Sequence, residues 1–449
     1  MIHEHESEHK DHSKQHEQLH EKNTKPEIKS RKKSTAIFIA AFIVLLIAVG
    51  LYFVKTEIGP IKFPSSANPD EVKVDETKGT TNAEKNPTKD PLIAKLSIPD
   101  GFEMKIFSKN VKDARVIVFD PQGRMLVSQT SEGRVSIMED TDKDGIADST
   151  KTLISGLSKP HGLAFLCREN SCALFVAQAS KLSSYDYDPA TGAVTNPKKL
   201  LDIPSTATDR HYTRTLQMLP EEKILLISVG SSCNVCVETD SMRGRIMAYN
   251  ISTGKVSEYA RGLRNSVFMT LDKNGKVFAT EMARDGLGDE IPPDEINIIE
   301  PGKDYGWPNC YSKNVHDDDF DKKTYIRNPC MEPFEVPSFI DLQAHSAPLG
   351  LAFVPEAWGK AKDGSNLAGS LLVAYHGSWN RTEPTGYKIA RITLDAEGNY
   401  AGIEDFLSGW LTADGKKLGR PVDVVFGADN ALYISDDDTG SIYRVAQIK

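Results

Sequence analysis

Residues 92–449 predict an all-β fold, a six-bladed β-propeller, from three features of the sequence. Six times a polar or proline-containing lead-in runs into an apolar stretch: DARVIVF (113–119), KPHGLAF (159–165), YTRTLQM (212–218), LRNSVFM (263–269), APLGLAF (347–353) and RPVDVVF (420–426). Each is followed by a second apolar run (GRMLVSQ, CALFVAQ, KILLISVG, GKVFATE, GSLLVAY, NALYISD), and most by a third of alternating pattern, such as GRVSIME, DEINIIE or GSIYRVA. The runs are short, β-branched and separated by Gly, Asp and Asn turns, with no long helical periodicity, which argues for antiparallel sheet. A repeat of about 55 residues carrying three or four strands has the size of a propeller blade with insertions.

Three segments precede the propeller. Residues 1–33 hold six of the eleven histidines, eight Lys+Arg and seven Asp+Glu with almost nothing apolar, so a disordered tail is expected. Its histidines offer metal ligands, but unpatterned His-Glu repeats fix no coordination geometry. Residues 34–54, STAIFIAAFIVLLIAVGLYFV, carry no charge and are long enough as a helix to span a membrane. A cleaved signal peptide is the rival, opposed by the 33-residue polar leader and the lack of a small-x-small cleavage site. Arg31, Lys32 and Lys33 directly before the span set the tail on the cytoplasmic side and export everything after Val54. Residues 55–91, with five prolines and one aromatic, Phe63, read as a flexible tether.

All six cysteines lie in the exported part. This suits an oxidising compartment, and pairing in sequence order gives Cys167–Cys172, Cys233–Cys236 and Cys310–Cys330. CNVC (233–236) reads first as a structural disulfide in a loop, with a redox pair or a zinc half-site as alternatives; Val237 stands where covalent haem attachment needs His. The exported part has 46 basic and 56 acidic residues, which argues against nucleic acid as a partner.

A propeller gives its polar residues a common address, because the loops leading into successive innermost strands converge near the axis. Those places hold His161, His211, Arg264 with Asn265, His345 and Arg420, while His376 follows a second strand. A lone histidine beside a strand is usually structural; several in one register of different blades point to chemistry. The arginines favour an anionic ligand carrying carboxylate or phosphate groups.

Two stretches are rich in hard oxygen donors. DTDKDGIAD supplies Asp140, Asp142, Asp144 and Asp148 with the spacing of a calcium loop, yet Lys151 stands where an EF-hand has its bidentate glutamate, so a shortened calcium turn and a solvated acidic turn remain open. RDGLGDEIPPDE packs Asp285, Asp289, Glu290, Asp294 and Glu295 into eleven residues, close enough to favour a divalent cation unless they splay into water.

The order LRN (263–265), GKVFATEMARDGLGD (275–289), PPDEINIIEPGKDYGWP (292–308), YHGSWNR (375–381), GYKIARI (386–392), GRPVDVVF (419–426) and SDDDTGSIYR (435–444) resembles the glucose/sorbosone dehydrogenase family, closest to its sorbosone dehydrogenase-like branch. The likeness covers nearly all of residues 100–446. It implies a six-bladed propeller, pyrroloquinoline quinone on the axis, Ca2+, oxidation of an aldose, polyol or sugar aldehyde, and a separate electron acceptor, a quinone or a cytochrome. It implies His211 as general base, Arg264 and Asn265 at the cofactor, Arg420 and less directly Arg381 on its carboxylates, and calcium near Glu281 to Asp285. Two departures stand out. The glucose dehydrogenases carry an acid just before the base, where this chain has Arg210, and another after the following strand, where it reads Gly230-Ser231-Ser232. A calcium-dependent lactonase-type hydrolase and a non-catalytic carbohydrate-binding or other ligand-binding propeller are the alternative functions.

Overall fold

The computed structural model describes residues 80–81 and 90–448, apart from 169, 170, 332 and 334. The tail, the apolar span and most of the tether read from the sequence lie outside the described residues. Among the described residues no helix is long and apolar enough to cross a membrane.

Six sheets of four main strands follow one another, and their innermost strands are Ala114–Phe119, Pro160–Arg168, Leu216–Leu219, Ser266–Leu271, Pro348–Phe353 and Pro421–Phe426. Each packs against the next, and the sixth against the first, so the ring closes around one axis. Every predicted lead-in falls on one of these strands or directly before it. The predicted second runs form the second strands, among them Met125–Gln129, Val277–Glu281, Leu371–Tyr375 and Leu432–Asp436, which are buried along their whole length. They read as continuous apolar runs because a neighbouring blade covers each face. Outer strands need no such cover, and Val194–Asp202 is mostly exposed.

Blade six is closed by both ends of the described chain: Phe102–Ser108 pairs antiparallel with Ser441–Gln447, from Phe102↔Gln447 to Ser108↔Ile442. Blade one gains a short outer strand from residues 80–81, inside the stretch that the sequence reads as a flexible tether: Thr80↔Thr150 and Thr81↔Ser149. Apolar side chains fill the spaces between blades, with Leu126, Leu174, Leu226, Leu372 and Ile434 wholly buried. Each such side chain contributes roughly 1.5–3 kcal/mol.

Polar staples add direction to that packing. Hydroxyls on three second strands donate to a carbonyl on the next blade's innermost strand or its lead-in: Ser228 to Ser266, Thr280 to Leu349 (2.9 Å) and Ser435 to Arg115 (2.6 Å). Asp423 accepts from the Ile117 amide at 2.9 Å, tying blade six to blade one. The strands approach so closely that a Cβ on Gly350 would lie 2.6 Å from Cα of Asp423.

In five blades the pairing of innermost against second strand shifts near its start, as from Ala114↔Gln129 to Ile117↔Val127 and from Pro421↔Asp436 to Val424↔Ile434. Such bulges bend the strand and re-aim the residues before it. The segment PPDEINIIEPGKDYGWP supplies the third strand of blade four, Glu295–Ile299. It then turns through Tyr305, whose hydroxyl donates to the Ile298 carbonyl at 2.6 Å. The three disulfides are those that sequence order pairs.

Candidate active site

A cavity of about 450 Å³ opens at the axis, where Val267 and Leu349 of two innermost strands line it together with His211, Arg264, Asp285 and His376. That is room for a ligand of cofactor size.

His211 sits on the loop before blade three's innermost strand, and its Nδ1 lies 3.1 Å from the Ser231 carbonyl and 2.9 Å from Ser231 Oγ. The carbonyl only accepts. Ser231 Oγ spends its own proton on the Cys233 carbonyl at 2.7 Å, so it too accepts from the ring. Both contacts require Nδ1–H, which leaves the lone pair on Nε2. Burial, reinforced by the Arg264 charge, pushes the imidazole pKa down to about 3, so the ring is neutral at physiological pH. Ser231 therefore holds the ring from the Gly230-Ser231-Ser232 stretch, where the resemblance to the glucose dehydrogenases implies an acid. Nearby, Asp209 is directed away into a buried pair with Arg243 at 2.6 Å, and Arg214 of the same group donates to the His211 carbonyl at 2.8 Å.

Close packing under the ring leaves room only for glycine. A Cβ on Gly230 would lie 2.7 Å from both His211 Cβ and Asn265 Oδ1. Gly230→Ala therefore displaces the imidazole, and we expect a loss of turnover of about tenfold or more with the propeller still folded, read by steady-state kinetics beside circular dichroism.

Arg264 is buried and fully engaged: it donates to the Asn234 carbonyl (2.9 Å), to Asn234 Oδ1 (2.9 Å) and to the Met282 carbonyl (3.2 Å), with Asp285 at 3.7 Å. The Asn265 amide donates to Glu281 at 2.7 Å. Asp294 joins two blades by accepting from the Ala283 and Ala347 amides, both at 3.0 Å, and burial raises its pKa to about 6. His345 bonds the Gly288 carbonyl through Nε2 at 2.8 Å, leaving Nδ1 3.8 Å from Asp285. His376 Nε2 reaches Asp437 at 2.9 Å, and Arg115 grips the other oxygen at 2.6 Å. Burial lowers the His376 pKa to about 4, while its contact and that of Arg115 hold the Asp437 carboxyl well below the usual range.

Several predicted residues stand behind this wall. His161 is wholly buried outside the cavity lining, bonded to Thr215 at 3.3 Å, and burial pushes its pKa well down. Arg420 donates to the His376 carbonyl at 3.3 Å and so braces that segment from outside the lining. Arg381 is spent on the blade-four loop, through the Asp289 carbonyl and the Glu290 carboxylate. Glu281 and Glu295 are paired across two strands of blade four and lie outside the cavity lining. Burial raises the pKa of Glu281 far above its usual value and that of Glu295 to about 7. The Asp140, Asp142 and Asp144 carboxylates come within 4.8 Å of one another, on the loop before blade one's outer strand rather than at the axis. Asp148 accepts there from the Thr141 amide at 2.7 Å.

Residues outside the sequence reading complete the site: Arg115, Ser231, Asn234 and Asp437, with Trp379, 69% exposed, at the rim. Arg115 was legible, since DARVIVF occupies the same lead-in register as the other candidates. Asn234 and Ser231 were not, because their roles arise from a loop folding back on itself.

For a carboxylate-bearing cofactor and a hard cation, the wall fits. Arg210, exposed on the cavity, makes no ion pair among the described residues, and Asp285 and Asp294 on the lining supply carboxylate oxygens of the type calcium takes.

Fold and site together define a six-bladed propeller with an axial cavity lined by arginine and a tautomer-fixed histidine. Residues 96–447 match the TrAA12-like family, and the chain belongs to it. A relative from Coprinopsis cinerea, a pyrroloquinoline quinone-dependent pyranose dehydrogenase, is 25% identical over 79% of this chain, which spans only 55% of that longer protein. Among solved structures, the holo form of the pyranose dehydrogenase PQQ domain from Coprinopsis cinerea superposes with a TM-score of 0.64 at 23% identity, over 78% of this chain and 97% of that one. The calcium structure of Trichoderma reesei Carbohydrate-Active Enzymes Family AA12 gives 0.65 at 23% identity, over 79% and 97%.

Proposed function

We propose that this propeller is a pyrroloquinoline quinone-dependent oxidoreductase that oxidises an aldose, polyol or sugar aldehyde in the axial cavity. The observation carrying this reading is His211, neutral and held as the Nδ1–H tautomer on the wall of a cavity lined by arginine. Its Nε2 accepts the substrate hydroxyl proton as hydride leaves the same carbon. Pyrroloquinoline quinone, when bound, supplies the hydride acceptor, and Ca2+ supplies Lewis acidity. Arg210 and Arg115 are the cations placed for carboxylates, and Asp285 and Asp294 are the donors for the metal. Trp379 at the rim presents an apolar face to a sugar ring.

The same reading sets the propeller on the exported side of a membrane, anchored by residues 34–54 through the tether 55–91 and passing electrons to a separate carrier; the three disulfides support the compartment. The acidic loop of Asp140, Asp142 and Asp144 is a second calcium site on this reading.

The test is reconstitution of metal-stripped full chain with pyrroloquinoline quinone and Ca2+, followed by dye reduction over a panel of aldoses and polyols. Expected are sugar-dependent reduction and a quinone-induced rise in Tm, both lost on chelation. Absence of both with every sugar removes the proposal.

A further inference from the structure

The CNVC loop, 233–236, reaches the cavity, where Asn234 is part of the lining. Four groups of the site hang on two of its residues. The Cys233 carbonyl takes the Ser231 hydroxyl proton at 2.7 Å and thereby commits Ser231 Oγ to accept from His211. Asn234 receives Arg264 on its carbonyl and on Oδ1, each at 2.9 Å. It also holds Asp285 from both sides, accepting from its amide at 2.8 Å and donating to its carbonyl at 2.9 Å. Trp307 of the YGWP turn donates to the Asn234 carbonyl at 3.4 Å from behind. The base, the buried arginine and a candidate cation ligand thus share one support.

That support is closed by the Cys233–Cys236 bond. Both cysteines are half-buried and the next residue, Val237, is 75% exposed, so a reagent in solution can reach the sulfurs. We infer that Ser231 is the positioning residue for His211 and that the Cys233–Cys236 disulfide is a thiol-sensitive clip holding Ser231 and Asn234 in place. The inference rests on His211 acting as base. The exchange balances with an external dithiol as reductant. One thiolate attacks a cysteine sulfur and breaks the Cys233–Cys236 bond. The second thiol then resolves the mixed disulfide, leaving the dithiol oxidised by two electrons and both cysteines as protonated thiols. Opening the ring frees the backbone at Cys233 and Asn234, so the acceptor for Ser231 and the cradle for Arg264 and Asp285 both loosen.

The test uses the full chain. Ser231→Ala is expected to lower kcat about tenfold with KM nearly unchanged, and Ser231→Thr, which keeps the hydroxyl, to restore it. Dithiothreitol, with opening of the Cys233–Cys236 bond verified by alkylation and mass spectrometry, is expected to lower kcat and also weaken quinone binding several-fold. The double variant Cys233→Ser/Cys236→Ser should reproduce both losses. A measurement free of turnover runs beside these: diethylpyrocarbonate labelling of His211, followed by peptide mass spectrometry, should change in rate at least threefold in Ser231→Ala and in the reduced chain. Unchanged kcat, quinone affinity and labelling after verified reduction would overturn the clip. Unchanged kcat and labelling in Ser231→Ala would overturn its positioning role. His211→Ala with full turnover would instead remove the base assignment, and the labelling result would still decide whether Ser231 and the disulfide hold the ring.

Discussion

His211→Ala should lower kcat by about 10²–10⁴-fold, the span of general-base catalysis, while the quinone still binds within a few-fold of its wild-type affinity. The separation follows from the geometry. His211 contributes one ring to the wall, whereas Arg210, Arg115 and the Asn234-braced Arg264 contribute the cations. Full turnover in the variant would refute the assigned role. The pH profile supplies an independent check. With its pKa lowered to about 3 by burial and the Arg264 charge, His211 stays unprotonated down the acid side, so the kcat limb due to this group should lie below pH 5 rather than near the usual histidine value of about 6.5. Stability follows the same sign. The folded pKa lies below the unfolded one, so the contribution of this group is fully present above about pH 6.5 and is lost as pH falls toward 3, where the unfolded chain binds the proton first.

Asp209→Ala should be the most destabilising single change near the site, costing about 3–5 kcal/mol in denaturant unfolding. Its carboxylate is 2% exposed, bonded to Arg243 at 2.6 Å and 3.8 Å from Arg214, and these arginines are themselves 3% and 0% exposed. Removing the acid strands two buried cations, and Arg214 is the group that holds the His211 carbonyl. Burial alone would raise the Asp209 pKa; the Arg243 hydrogen bond and the bonds from Thr206 outweigh it and hold it below the usual carboxylate value. The stabilisation is therefore present above the unfolded Asp value of about 3.9 and fades as the acid is protonated at lower pH. A loss under about 1 kcal/mol would show that solvent reaches these arginines.

The fold was legible because period and burial agree. Second strands such as LLVAY (371–375) are apolar throughout since both faces are covered, and outer strands are not. The same strands carry a small residue one place before their end in LVSQ, FATE and YISD, and Thr280 and Ser435 there are the staples between blades, a regularity present in the sequence but readable only once blade contacts are known. The site was legible by register for His211, Arg264, Asn265 and His345, which all line the cavity. Register failed to separate the wall from its backing. His161 and Arg420 occupy equivalent lead-ins yet stay out of the lining, because His161 is wholly buried against Thr215 and Arg420 is drawn onto the His376 carbonyl, partners that the repeat does not announce. The acid missing after blade three's second strand was visible as Gly230-Ser231-Ser232. That a serine replaces it depends on Cys233 folding back to take the hydroxyl proton, which is a matter of loop geometry.

The seam in blade six has a consequence for how the molecule comes into being. Phe102–Ser108 leaves the ribosome before the first complete blade, but its partner Ser441–Gln447 follows more than three hundred residues later. Until then the early strand has no sheet to join, and the nascent polypeptide is a growing crescent with bare hydrogen-bonding edges. Folding of the last blade therefore waits until Ser441–Gln447 has been made, and removing that strand would disable the annulus as a whole rather than its final wedge.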